Sequence, residues 1–126
     1  MWLFCKSGFF SAVVNRDNPS YVHVRAMLAG DLERLIESHG LTGVAVTETR
    51  DADYRFRCDV RREDWKRIVA EEAEDIDYTN FKSEVSEYGY GFRDGAYMAV
   101  HRAMEAAKDA EIAMDRANER HNEKEV

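Results

Sequence analysis

Alternation of apolar and polar positions organises the first half of the chain. Met1–Lys6 and Phe9–Val14 are apolar, aromatic runs that predict two strands, with Gly8 between them as a bulge or kink. Asn15-Arg16-Asp17-Asn18-Pro19-Ser20 is dense in turn formers and predicts a hairpin connection. Within Tyr21–Leu28, Val22, Val24, Ala26 and Leu28 fall on one face, and His23 and Arg25 on the other. A slip of one residue would exchange those faces, so the pattern fixes the pairing. Val44 and Val46 open a further strand, and Arg50–Asp53 reads as a turn. Tyr54, Phe56, Cys58 and Val60 then alternate with Arg55, Arg57 and Asp59 as a half-buried strand.

Helical spacing takes over elsewhere. Leu32, Leu35, Ile36 and His39 share one face behind Asp31, and Gly40 stands where a left-handed cap closes the helix. Trp65, Ile68, Val69, Ala73 and Ile76 form a stripe from Glu63 to Ile76. Asp77-Tyr78-Thr79-Asn80 interrupts it, with Asp77 or Thr79 placed to cap a shorter helix carrying Phe81, Val85 and Tyr88. Gly89, Gly91 and Gly95 predict a hinge before the last helix.

That last helix has a repeat of its own. Ala96, Ala99, Ala103, Ala106, Ala110, Ala113 and Ala117 recur at spacings of three and four, a heptad seam made of alanine. Tyr97, Val100, Met104, Ala107 and Met114 run beside it, broken by Glu111, while Arg102, Glu105, Lys108, Asp109 and Arg116 fall opposite. Such a seam packs inside the chain, on the preceding helices or the sheet, or pairs with itself in a two-fold homodimer.

Composition narrows the class. With 126 residues, 44% hydrophobic and 34% charged, the chain suits one domain, because a second core would lack apolar surface. We divide it into an α+β body over 1–95 and the alanine-seam helix over 96–126. No run approaches the ~18 apolar residues of a membrane span. The opening Met1-Trp2-Leu3-Phe4-Cys5 lacks a basic flank and stops at Lys6, unlike a secretory leader. Two cysteines, Cys5 and Cys58, are too few for a disulfide framework or a cysteine-rich zinc site, and the reducing cytoplasm is the expected compartment.

The net charge of −7 is unevenly spread. Residues 1–60 are almost balanced, whereas 71–94 carry Glu71, Glu72, Glu74, Asp75, Asp77, Glu84, Glu87 and Asp94 against only Lys82 and Arg93. That window repels phosphate backbones, so nucleic acid is disfavoured overall, and it suits a basic protein surface. A solvated face that keeps the chain soluble explains the same charges.

Catalytic and metal motifs are sparse. Asp51 and Asp53 read as turn chemistry rather than a cation site, and the acids after Glu71 lack a calcium-loop pattern. His23, His39, His101 and His121 are scattered without zinc spacing. Cys5 and His23 are set as a nucleophile and base only if their strands bring them together, and a buried core cysteine is the plainer reading. No phosphate loop, dinucleotide fingerprint or nucleophile elbow occurs, so no enzyme, cofactor or metal is expected. If Val22, Val24, Phe56 and Cys58 face the helices, then His23, Arg25, Arg55 and Arg57 share the opposite sheet face, with Trp2 and Phe4 beside them. Arginines and aromatics on an open sheet face suit stacked bases or a small phosphorylated ligand. Pairing with Asp53 and Asp59 explains those charges without a ligand.

Met1-Trp2-Leu3-Phe4, Gly8-Phe9-Phe10-Ser11-Ala12-Val13, Val24-Arg25-Ala26, Asp31-Leu32-Glu33-Arg34-Leu35, Ala52-Asp53-Tyr54 and Ile76-Asp77-Tyr78-Thr79-Asn80-Phe81-Lys82 together resemble a family of small uncharacterised proteins of bacteria and their phages. The resemblance covers about residues 1–104 and stops where the alanine seam continues. It implies a compact cytoplasmic domain, a phage or mobile-element origin, and no particular site. The expected fold is α+β: an antiparallel sheet of four to five strands, ferredoxin-like or split β-α-β, with helices on one face and a long C-terminal helix. The expected function is a non-enzymatic interaction protein, homodimeric, that binds and inhibits a nucleic-acid-handling host protein through Glu71, Glu72, Glu74, Asp75, Asp77, Glu84 and Glu87. The alternative is a nucleotide or short nucleic acid on the face of His23, Arg25, Arg55 and Arg57.

Overall fold

The computed structural model describes residues 1–89 and 93–125. The chain divides into two compact units, Met1–Gly91 and Phe92–Val126. The first contains β1 (Trp2–Cys5), β2 (Gly8–Val14), β3 (Tyr21–Ala26), α1 (Asp31–Ser38), β4 (Thr47–Glu48), β5 (Phe56–Arg61), α2 (Arg62–Glu74) and α3 (Phe81–Tyr88). Its five strands form one sheet in the order β1-β2-β3-β5-β4, with every neighbouring pair antiparallel. The α+β class therefore holds.

The directions also give the topology. Both β3 and β4 run antiparallel to β5, so they point the same way with β5 between them, and α1 connects them. This is a split β-α-β unit. In the ferredoxin-like arrangement the fourth strand follows the second helix; here β2 takes that place beside β3 but precedes it in the chain. The sheet is thus a cyclically permuted version, with β1 added at the edge.

One sheet face and two helices make the core. Phe10, Ala12, Val22, Val24, Ala26, Phe56, Cys58 and Val60 meet Leu32 and Leu35 of α1 and Trp65 and Ile68 of α2. Phe10, Leu32 and Ile68 are completely buried, each stabilising the fold by about 1.5–3 kcal/mol. Several boundaries differ from expectation. Val44 and Val46 pack against the core, but the strand near them is only Thr47–Glu48. Met27, Leu28 and Ile76 are exposed, because β3 stops at Ala26 and α2 at Glu74.

Gly8 is not a bulge. It opens β2 opposite Cys5, and Lys6 and Ser7 turn the hairpin. A Cβ on Gly8 would lie 2.6 Å from Phe10 Cζ and 3.0 Å from Asp31 Cγ, so the residue is small for reasons of space. Asp31 is itself buried. It accepts the Phe9 N–H at 3.3 Å and pairs with Arg34, whose guanidinium also donates to Ser7 O at 3.2 Å. The first turn of α1 thereby clamps the hairpin.

The predicted β2–β3 turn forms through Asn15, whose side-chain oxygen accepts the Asp17 and Asn18 N–H groups at 2.9 and 3.1 Å. Asn80, rather than Asp77 or Thr79, caps α3 by accepting the Ser83 N–H at 2.9 Å. Gly40 follows α1 with φ of 63°, as its position predicts. Gly91 of the expected hinge lies outside the described residues, and Gly95 is helical.

The second unit holds one element, α4 (Arg93–Glu125). Along it His101–Glu105 and His121–Glu125 pair one turn apart, at 3.4 and 3.1 Å. All seven seam alanines are exposed, as is every residue from His101 to Glu125. No helix among the described residues is long and apolar enough to cross a membrane.

Candidate functional site on the open sheet face

Strand alternation sends every second side chain away from the helices. Across four strand pairings, Trp2, Ser11, Arg25, Arg57 and Thr47 stand directly opposite one another in a single row. Val13, His23 and Asp59 make the next row, and Phe4 and Phe9 pair on the other side. Arg25, Arg57 and His23 therefore lie together on the two central strands, as their spacing predicts.

Arg55 does not join them. Its guanidinium bonds Glu48 at 2.8–2.9 Å and lies 4.9 Å from the ring centre of Phe56, a core residue. Arg55 holds the Glu48 carboxyl below its usual range. Tyr54 also departs from its expected place. Expected on the core side with Phe56, it instead reaches the open face, 6.5 Å from Phe9, with the Arg25 guanidinium 4.3 Å from its ring centre. Tyr54 precedes the strand, which begins at Phe56, and Asp53 accepts its N–H at 2.8 Å, so strand parity does not govern it. Arg55 O still accepts the Thr49 N–H at 2.8 Å, continuing the β4–β5 pairing by one residue, and its guanidinium is drawn to Glu48 on the edge strand.

Aromatic rings flank the arginines. Phe9 stacks on Phe4 at 4.4 Å and meets Trp2 edge-on at 5.9 Å, and Trp2 is 67% exposed. Beneath Arg25, buried Ser11 accepts a hydrogen bond from Nη2 at 2.9 Å. Arg57 Nε donates to Tyr54 O at 3.4 Å. Neither arginine has a carboxylate partner among the described residues. The pairing expected from Asp53 and Asp59 does not occur, because Asp59 bonds His23 Nδ1 and Asn15 Nδ2, each at 2.9 Å. Two cations thus face each other across β3 and β5, an arrangement that by itself destabilises a sheet. The buried Arg25 Nε also lacks a hydrogen-bond partner.

The acidic segment has a different character. His39, at the end of α1, lies with Nδ1 2.8 Å from Glu71 and Nε2 2.9 Å from Glu72, so its ring bridges the two carboxyls. Arg67 adds a 2.8 Å bond to Glu71. His39, then Arg67, holds the Glu71 carboxyl below its usual range. Lys6, at the hairpin turn, pairs with Glu84 at 3.3 Å and Asp75 at 3.5 Å, and lies over the rings of Tyr78 and Tyr88. Partial burial works against the Lys6 charge, but Glu84 and Asp75 outweigh it and hold the ammonium above its ordinary range. Glu71, Glu72, Asp75 and Glu84 therefore tie α2 and α3 to the rest of their unit. Glu74, Asp77 and Glu87 are exposed and have no ion pair among the described residues.

The cysteines are poor nucleophiles. Burial, reinforced by Glu72, pushes the Cys5 thiol up to about 12, and burial with Asp59 and Glu33 does the same for Cys58. Cys5 and Cys58 are buried on the helix side while His23 is on the open face, so no cysteine–histidine pair forms. No family model, curated protein or solved structure matches the chain.

Proposed function

We propose that the chain is a non-enzymatic binding module whose open sheet face takes a phosphate-bearing ligand with a base to stack: a nucleotide or a short single strand of nucleic acid. The observation that carries this reading is the facing pair Arg25 and Arg57. In a chain with 25 acidic and 18 basic side chains, both stand at the centre of the sheet without a carboxylate partner among the described residues. An anion between them relieves their repulsion, and guanidinium forks match phosphate oxygens. Trp2 and Phe9 supply apolar surface for a base at one end of the row. The acidic remainder of the molecule limits the footprint and favours a short ligand over a duplex.

Isothermal titration with nucleoside mono- and triphosphates and with single-stranded RNA and DNA octamers tests this. Heat is expected from at least one, with quenching of Trp2 fluorescence that Trp2→Phe removes. Silence across the whole panel sinks the reading.

A second reading, a host protein docking on the acidic surface and being inhibited by it, draws support from Glu74, Asp77 and Glu87, which are exposed and have no ion pair among the described residues. Reversing these three to lysine spares the internal pairs of Glu71, Glu72, Asp75 and Glu84. If the acidic surface is the docking site, capture of a basic partner is lost in that variant; unchanged capture removes this reading.

A further inference from the structure

The structure assigns α4 as an antiparallel pairing helix for a second copy of this chain. Among the described residues of its own unit, α4 has no second element to cover its apolar side. At 100° per residue, Val100, Ala107 and Met114 flank the seven seam alanines, and Val100 and Met114 are 41% and 66% exposed. An exposed apolar face alone names no occupant. The charges along its margins do.

Counting heptads from Ala96, one margin carries Arg102, Asp109, Arg116 and Glu123, seven residues apart and alternating in sign. The other margin carries Val100, Ala107 and Met114, with no charge until His121. In a parallel pair each margin meets the opposite margin of its partner, so the charged row would face an almost uncharged one. In an antiparallel pair the charged row meets its own copy. One offset sets Arg102 beside Glu123 of the second copy and Asp109 beside Arg116. Two-fold symmetry repeats both, giving four opposite-sign pairs, while Ala106 faces Ala117 and Ala110 faces Ala113. Alanine at those layers lets the backbones approach closely. Charge complementarity thus selects both the occupant and its direction.

Sedimentation equilibrium on the full chain reads the outcome. The wild type is expected to be a dimer. Asp109→Arg with Glu123→Arg makes the row all positive, and Arg102→Glu with Arg116→Glu makes it all negative. All four sites are exposed, so the fold of residues 1–89 stays intact by circular dichroism. Each variant should weaken self-association by about tenfold or more, and mixing the two should restore a heterodimer. A wild-type chain that stays monomeric across the loading range overturns the proposal, as does a dimer that both variants leave unchanged.

Discussion

Arg57→Glu separates the stability of the sheet face from its use. Arg25 and Arg57 are directly opposite on β3 and β5, so the native pair is repulsive and the variant pair attractive. Like charges so placed cost roughly 0.2–1 kcal/mol and opposite charges return a similar amount, for a swing of about 1 kcal/mol in favour of the variant. Little is lost in exchange, since Arg57's own protein contact on this face is the 3.4 Å bond to Tyr54 O. For a folded unit of this size the gain raises Tm by about 4–8 °C. Urea unfolding of the wild type, Arg25→Gln, Arg57→Glu and the double variant isolates the coupling from the poorer strand propensity of glutamate. The coupling between Arg25 and Glu at position 57 should be favourable and should shrink in high salt. The same variant should lose the phosphate-bearing ligand. A coupling of zero or of opposite sign would refute the claim that these arginines are kept at the expense of stability.

Further outcomes follow from the packing and the charge pairs. Gly8→Ala should cost about 1–3 kcal/mol by overpacking, because the added methyl meets Phe10 and Asp31, both buried; shortening the ring with Phe10→Leu in the same chain should return part of that loss in urea unfolding. Glu71 has a depressed carboxyl in the folded state, so its pairs stabilise the fold above the unfolded value of about 4.3 and lose that contribution as pH falls through the lower folded value. Unfolding followed between neutral and acid pH should therefore be less pH-dependent in Glu71→Gln, and an unchanged acid limb would contradict the His39–Glu71–Arg67 network.

Much of the fold was legible because strand alternation and helix spacing are local signals. Val22, Val24 and Ala26, with Phe56, Cys58 and Val60, declared the core face, and that placed His23, Arg25 and Arg57 on the other. Tyr54 continued the same alternation in sequence but lies before the strand starts and reaches the open face, while Arg55, still paired through its backbone with Thr49, is drawn to Glu48 on the edge strand. The meaning of Gly8 was hidden for another reason, since the space it leaves is claimed by Asp31 from α1. The acidic segment was the least legible. Lys6 and Glu84 are 78 residues apart and His39 and Glu71 are 32 apart, and no local pattern announces that cations from the hairpin and α1 meet these carboxylates. What reads in sequence as a uniform acidic surface carries, at four of its seven named members, ion pairs to Lys6, His39 and Arg67, with Glu71 and Asp75 still open to solvent.

The central claim is that Arg25 and Arg57 hold phosphate. The measurement that tests it most directly is the salt dependence of affinity for the tightest single-stranded octamer, in the wild type and in Arg25→Gln/Arg57→Gln. Two phosphate contacts predict that log affinity falls with log salt at a slope of about −1.4, and that the double variant loses most of both the affinity and the slope. Binding that survives the double variant with its slope intact would contradict the account and move the site elsewhere on the molecule.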